Sequence, residues 1–484
     1  MKPNLIWAAL FAACIMLAVM VPAVAAADYP HNGQFIAYYN SSALVRTAAP
    51  SNAGTTYVNT AATANTASQA MTTGRITPLV TLSSTDWPQF LYNATHAGFS
   101  PATGLPSNNS TVWWENLTAI STTNPLIVSG NAYILTGYAG FDEPDSLTSI
   151  NLTCMNVSTG SILWQSPPLS RTVHYGSYSS PTTDGTYVYV STDYTVYAIR
   201  VSDGSIAWTY TTSDVNLNGG PTVGGNSVFV SDWGSGSGGH YYNLSKTTGV
   251  MNWVFTDANM NYVQGSPAYD SADGSIYVTA YNYSGTGPNG SGSYGYIYKV
   301  NASGGKVWSE PTLMGEIFGG SASFDATRVY AASYNFNGNG TLYAYNKNSG
   351  KLAWSKSIEP SDATPTIANG IVYISGGTSG FTPPGVYAFY ANNGTPVWSR
   401  VNQSMGGWTD SVSVANGYAF TGYENDNSGY PDYCYNTTYA LNAATGATVW
   451  FYPQGGATAA IAQNATGNGK VYTLGNNGYL YRFG

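Results

Sequence analysis

Charge is what this chain has least of. Only 8% of its 484 residues are Asp, Glu, Lys or Arg, against about a quarter in ordinary soluble domains. The 15 Lys and Arg against 23 Asp and Glu leave a net charge of −8, and the pI is near 4.8. That balance excludes nucleic acid as a partner, because a phosphate backbone is held by a basic surface. So few carboxylates also predict a fold insensitive to low pH. Cysteine is nearly absent: Cys14, Cys154 and Cys434 cannot build a disulfide framework, and no Cys-x-x-Cys-His haem site exists. Cys154 falls at a small strand position, as a buried thiol; a Cys154–Cys434 bond stays open as the alternative. The four histidines, His31, His96, His174 and His240, lack metal-ligand spacing. Phosphate loops, Gly-x-Ser-x-Gly and His-Glu-x-x-His are missing.

Long apolar runs are lacking too, with one exception. Lys2 precedes an apolar stretch from Leu5 to Val21, and Ala23-Val24-Ala25-Ala26-Ala27 follows. Residues 1–27 therefore read as an export signal cleaved before Asp28. The run is nearly long enough to span a bilayer, so an uncleaved anchor is the alternative. Cys14 sits inside the run, which is the wrong place for lipidation.

What the chain does have is 55 Gly, 41 Tyr and about a fifth Ser plus Thr. It also repeats. A Trp returns every 44 to 55 residues, four positions after a Gly: Gly160/Trp164, Gly204/Trp208, Gly249/Trp253, Gly304/Trp308, Gly350/Trp354, Gly394/Trp398 and Gly446/Trp450. A period of this length signals a propeller or solenoid. The unit from Ser180 to Tyr210 shows the parts. Pro181-Thr182-Thr183, Thr186 to Ser191, Val196 to Ile199 and Ile206-Ala207-Trp208 alternate as strands, separated by Asp184-Gly185, Asp193-Tyr194 and Asp203-Gly204 turns. Four short antiparallel strands make one blade.

Val112-Trp113-Trp114 reads as a fourth strand without its own predecessors, and Val471 to Leu474 and Tyr479 to Arg482 as second and third strands without a Trp. Joined, they predict an eight-bladed, all-β propeller of four-stranded antiparallel blades, closed by a blade shared between the N- and C-terminal strands. Residues 28–85, rich in Ala, Thr, Ser and Asn, read as a flexible stalk, and 86–484 as the propeller.

The repeat Ala-x5-Gly-x3-Trp, as from Ala344 through Gly350 to Trp354, resembles that of the pyrroloquinoline-quinone-like (PQQ-like) propeller family. The opening Asp86-Trp87-Pro88-Gln89-Phe90 and Asn93 to Ser100 is similar to that of its secreted members. The resemblance implies that Trp114, Trp164, Trp208, Trp253, Trp308, Trp354, Trp398 and Trp450 dock on neighbouring blades as a girdle. It also implies a range of functions, from quinoprotein dehydrogenases to an assembly lipoprotein and non-catalytic surface proteins. The adjacent cysteines usual beside the quinone are missing here.

Glu424-Asn425-Asp426-Asn427-Ser428-Gly429 weakly matches a calcium loop whose twelfth position is Tyr435 rather than Glu. Asp142-Glu143-Pro144-Asp145 is a second acidic loop. Sixteen Asn-x-Ser/Thr sites occur; Asn156, Asn243, Asn282, Asn289, Asn301, Asn339, Asn393, Asn402, Asn436 and Asn464 are the candidate glycan acceptors. Tyr281, Tyr283, Tyr294 and Tyr296 mark a candidate recognition loop. These features lead to the expectation of a non-catalytic extracellular or cell-surface scaffold propeller that binds a surface protein or glycan. It would touch a membrane only through an uncleaved N-terminal segment and need no cofactor, with PQQ and calcium as the groups to test. The alternatives are a PQQ-dependent quinoprotein oxidoreductase without the usual cysteine pair, and a polysaccharide-processing enzyme.

Overall fold

In a computed structural model of the chain, the described residues are 80–484 without 111, 118–123, 137–149, 170–179, 217–218, 235–237, 336–337, 380, 425–434, 465 and 476. The signal, most of the stalk, Cys434, His31, His174 and the acidic stretches 142–145 and 425–429 lie outside them. The strands form eight sheets, each built on a four-stranded antiparallel blade: 126–165, 182–211, 222–255, 268–311, 323–358, 366–401, 413–452, and 460–483 together with 112–116; Phe99–Ser100 adds a fifth, parallel strand to the blade 413–452. In the blade 460–483, Val112–Asn116 pairs with Tyr479–Phe483. The described residues contain no helix.

The Gly–Trp spacing has a cause that lies between blades. Each Trp covers the hairpin glycine of the following blade, not the glycine four residues before it. A Cβ on Gly204 would lie 2.5 Å from the Trp164 ring, and one on Gly350 2.8 Å from the Trp308 ring. Gly249, Gly304, Gly394 and Gly446 stand in the same relation to Trp208, Trp253, Trp354 and Trp398. The indole N–H of each of these six Trp residues then donates to a backbone carbonyl of that next blade, at 2.9 to 3.3 Å. Trp450 donates to Pro106 O at 3.0 Å. Glycine is needed twice over, for its positive φ (+74° at Gly204 and Gly350) and for the missing side chain.

Within a blade, the small residue ten positions before the Trp also gains a reason. Ala198 pairs with both Tyr189 and Trp208, and the two rings meet across its methyl at 5.8 Å between centroids. Tyr330 and Trp354 do the same over Ala344 at 5.9 Å. Cys154 occupies this position as a buried free thiol.

Two expectations need correction here. Trp113, not Trp114, faces Gly160, together with the Glu115 carboxylate. Side chains alternate along a strand, so a one-residue offset turns Trp114 to the opposite face, against Tyr479 at 5.3 Å. The propeller also begins earlier than 86: Val80 N–H donates to Gly185 O at 3.2 Å, and Val80 and Leu82 pack on a core cluster.

Gly350→Ala and Gly370→Ala separate the two roles of glycine. Gly370 has φ +76° with nothing within 4 Å of a new Cβ, so its variant should lose about 1 kcal/mol from backbone strain. Gly350→Ala should lose about 1–3 kcal/mol more, by overpacking against Trp308. Urea unfolding of both variants measures the difference.

Candidate active site

The opening segment runs once around the propeller axis and bonds to every blade. Trp87 exchanges hydrogen bonds with Ile127, and Pro88 O, Ala94 O, Thr95 O, Ala97 O and Gly98 O accept from Thr183, Tyr269, Phe324, Ile367 and Val414 at 2.7 to 3.2 Å. The Gln89 side chain accepts from Val223 N at 3.0 Å. Thr85 O accepts from Gln463 N at 3.1 Å, and Ser100 Oγ donates to Ile461 O at 3.0 Å. Sequence similarity to propeller openings therefore marks a plug. His96 locks it: the ring is buried, and Nδ1 lies 2.9 Å from Ala322 O. That carbonyl can only accept, so Nδ1 carries the proton and Nε2 accepts from Thr222 Oγ1 at 3.3 Å.

Above the plug the axis holds a small funnel of about 80 Å³, with Phe90 of the plug in its lining. Seven of its fifteen lining residues share one register position, two residues before a first strand: Asn124, Ser180, Ser266, Ser321, Thr364, Ser411 and Thr458. Several of these side chains hold the neighbouring blade. Ser266 Oγ accepts from Gly220 N at 2.8 Å, Ser321 Oγ from Ser266 N at 2.7 Å, Ser411 Oγ from Thr364 N at 3.0 Å and Thr458 Oγ1 from Ser411 N at 2.9 Å. Hydroxyls deeper in the blades donate to carbonyls of the next one, as Thr279 Oγ1 does to Gly320 O and Ser375 Oγ to Gly407 O, at 2.7 and 2.9 Å. These contacts give the Ser and Thr content its purpose.

Among the described lining residues Asp362 is the one acid, and no Lys or Arg is present. Its backbone N–H donates to Trp408 O at 2.8 Å. Its carboxylate oxygen Oδ1 is shielded from solvent and has no hydrogen-bond partner. Burial pushes this carboxyl up to about 7; the Trp408 indole and the Gly319 amide pull the other way without cancelling it. Gly319 is the cradle, since a Cβ there would lie 2.2 Å from Oδ1. Trp408 is fixed from behind by Glu424, whose Oε2 accepts the Trp408 N–H at 2.8 Å and whose Oε1 accepts from Thr378 Oγ1 at 3.1 Å. Nearby, Asp410 accepts from Thr421 Oγ1 and, at 2.9 Å, from Gly422 N; burial raises it to about 6. On the opposite wall Gln264 Nε2 donates to Tyr281 OH at 2.9 Å.

Few of the sites expected from sequence meet here. His240 lies away from the funnel lining, its Nδ1 3.0 Å from Asp232. Tyr281, Tyr294 and Tyr296 are buried in the long hairpin of Ile276–Gly287 and Gly290–Val300; they are core, not a recognition loop. Asn243 and Asn282 are also buried, which leaves no room for a glycan, and they are corrected accordingly. Asn289, Asn339, Asn393 and Asn402 are exposed, and Asn156, Asn301, Asn436 and Asn464 are half-exposed. Turn geometry explains much of the Asn-x-Ser/Thr pattern. Asn301 Oδ1 accepts from Ser303 N and Ser303 Oγ, and Asn464 Oδ1 from Thr466 N and Thr466 Oγ1, an Asx-turn. Asp362 and the wall hydroxyls were missed. The wall was visible as the first residue of triplets such as Ser266-Pro267-Ala268 and Thr364-Pro365-Thr366, but strand patterning carries no sign of which end faces the axis.

A family model described as outer membrane protein assembly factor BamB matches residues 148–285 and 293–483. The chain belongs to this family of PQQ-like propellers. The tetrathionate hydrolase of Acidithiobacillus ferrooxidans is 24% identical over 277 residues, which are 49% of this chain and 51% of that protein. This chain thus spans about half the length of the curated relative it matches. The fold is shared with a europium-containing methanol dehydrogenase (TM-score 0.61, 12% identity, 81% of this chain and 90% of that one). It is shared too with the quinohemoprotein alcohol dehydrogenase of Comamonas testosteroni (0.63, 14%, 82% and 80%) and BamB of Moraxella catarrhalis (0.52, 15%, 77% and 97%). These findings overturn two expectations. The expectation of a non-catalytic scaffold is corrected by the match to a relative named as a hydrolase. The expectation of no cofactor is corrected by the dehydrogenases, whose names include europium, a quinone and haem.

Two predictions follow from the site's titrating groups and its cradle. Between pH 8 and 4, protonation of Asp362 and Asp410, both raised above the usual 3.8, stabilises the fold. His96, lowered from 6.5 to about 4, loses stability as pH falls through that window. Two raised acids outweigh one lowered base, by on the order of a few kcal/mol. The melting temperature should therefore rise from pH 8 to pH 5, and rise less in Asp362→Asn. Gly319→Ala should displace the Asp362 carboxylate, and a carboxyl titration followed by infrared difference spectroscopy would register its return toward the ordinary range.

Proposed function

We propose that this chain is an enzyme whose active site is the funnel, whose reaction is hydrolysis of a small anionic substrate, and whose proton-transferring group is Asp362. The observation that carries this reading is the buried, unpartnered Oδ1 of a carboxyl held near pH 7, where proton exchange is most efficient. The match to a tetrathionate hydrolase supports hydrolysis and a sulfur oxoanion as the substrate class. The similarity to dehydrogenases supports the fold alone. The plug, bonded to all eight blades and with Phe90 in the funnel lining, supports a small substrate. The apolar N-terminal run supports action outside the cytoplasm, where the exposed Asn289, Asn339, Asn393 and Asn402 would be the glycan acceptors.

Electrostatics decide which form of Asp362 works. With no cation in the described lining, an ionised carboxylate and an anionic substrate about 4 Å apart repel by about 4 kcal/mol at an effective dielectric near 20. The protonated acid removes that repulsion and donates its proton to the leaving group, while water attacks.

The groups named in the dehydrogenases would have to be held by oxygens of this lining, since the described residues contain no cluster of three metal-ligating side chains. Asp362 Oδ1 is the oxygen a hard cation would take, with the Gln264 amide and Thr409 hydroxyl among the neutral oxygens of the lining; the wall O–H groups suit the oxygens of a quinone. A bound cation would polarise a substrate oxygen.

Tetrathionate turnover, with and without added quinone and lanthanide or calcium, tests the reading. Activity should be high below pH 7 and fall above it with a midpoint near 7. Asp362→Asn should lose at least 100-fold in kcat and keep substrate binding at pH 8. Alcohol-dependent dye reduction without tetrathionate cleavage would replace hydrolysis with quinone-dependent oxidation.

A further inference from the structure

We propose that the hydroxyls of Ser266, Ser321 and Ser411 form an oxoanion-binding subsite that grips sulfonate or carboxylate oxygens with neutral O–H donors and no cation. This inference rests on the funnel being the place where substrate binds, and it names the chemistry that place selects.

The argument is a count of donors and acceptors. A serine hydroxyl has one proton to give and two lone pairs. In all three residues the oxygen accepts a backbone N–H from the preceding blade, at 2.8, 2.7 and 3.0 Å. That contact orients each side chain and uses a lone pair, but leaves the proton unspent. The three residues are nearly fully buried, and no acceptor for their protons is found among the described residues. Thr458 is the contrast, since its hydroxyl reaches Asp410 Oδ1 at 3.4 Å. The deeper hydroxyls of Ser323, Thr366 and Ser413 are spent on Pro365 O, Val412 O and Ala459 O.

Buried O–H donors without acceptors cost free energy, and all three line a funnel shared with the amides of Asn124 and Gln264, further Ser and Thr hydroxyls, and one carboxyl, Asp362. The ligand that satisfies them must be rich in acceptor oxygens. Small size and spread negative charge also fit, since each hydrogen bond to a charged oxygen gains more than one to a neutral oxygen. Two sources offer that chemistry: a sulfur oxoanion as substrate, and a quinone bearing carboxylates. The blade-to-blade N–H bonds hold the donors in place before the ligand arrives, so binding costs little reorganisation.

Calorimetry on the full chain at pH 5.5, with thiosulfate in one arm, pyrroloquinoline quinone in the second and neutral dimethyl sulfone in a third, tests the subsite. We expect one anion bound per chain and the sulfone at least tenfold weaker. Ser321→Ala and Ser411→Ala should each weaken the anion about 10- to 100-fold. Because alanine also removes the acceptor of a neighbouring N–H, Ser321→Thr and Ser411→Thr serve as rescues; Thr458 shows that threonine makes the same contact at this register. Restored binding in the threonine variants supports the subsite. Unchanged binding in folded alanine variants overturns it, as does equal affinity for the sulfone or no anion binding at all. Thiosulfate sensitivity assigns the oxygens to a substrate, and quinone sensitivity assigns them to a cofactor. Tetrathionate turnover by the wild type separates the two readings: anion binding without turnover removes the hydrolase and leaves the subsite standing.

Discussion

The contact between one blade and the next is the constraint on which everything else rests. A blade alone is a four-stranded sheet with two exposed faces, and it is stable only when stacked. Here the stacking is stitched at two radii. Toward the outside, an indole lies flat on a bare glycine and donates its N–H to the same hairpin. Near the axis, hydroxyls span from blade to blade, accepting N–H groups at one level and donating to carbonyls at another. Both contacts are short and directional, so the angle between blades is set within narrow limits, and the ring closes at eight.

A ring stitched by hydroxyls has little need of charge. Inter-blade ion pairs such as Lys347 with Asp270, at 2.6 Å, are few among the described residues, and the described funnel lining carries no ionisable acid or base of the Asp, Glu, Lys or Arg type apart from Asp362. The same scarcity shapes the chemistry. A carboxyl placed among hydroxyls and amides, without a cation to hold it ionised, keeps its proton to near neutral pH, because burial penalises the charged form and the Trp408 and Gly319 donors repay only part of the penalty. The expectation of acid tolerance from low charge therefore changes its basis. It depends less on how many carboxylates exist than on the balance between two raised acids and the buried neutral His96.

The plug joins the two themes. Its residues Leu91, Tyr92 and His96 have positive φ, a conformation that costs about 1–3 kcal/mol each and persists only where surrounding contacts over-determine it. Bonds to all eight blades supply that over-determination. They also set Phe90 of the plug into the funnel lining.

Repeats are legible in a chain because the same local problem is solved many times. The period, the four strands, the small residue between two rings and the glycine before each Trp could all be read, as could the family. The partner of each Trp could not: Gly-x-x-x-Trp reads as a local pair, yet the two residues belong to different contacts one blade apart. Trp113 and Trp114 were indistinguishable for a similar reason, since a strand's register decides which face each side chain takes. The site was hidden further still. Asp362 and Ser411 lie in different blades, Ser266 in a third, and no motif binds them. The amino-acid order by itself determined the fold, because periodic local patterns have one closed solution. Only the tertiary structure decided the site, because closing the ring brings one register position from every blade to a common axis and shields the Oδ1 of Asp362 there.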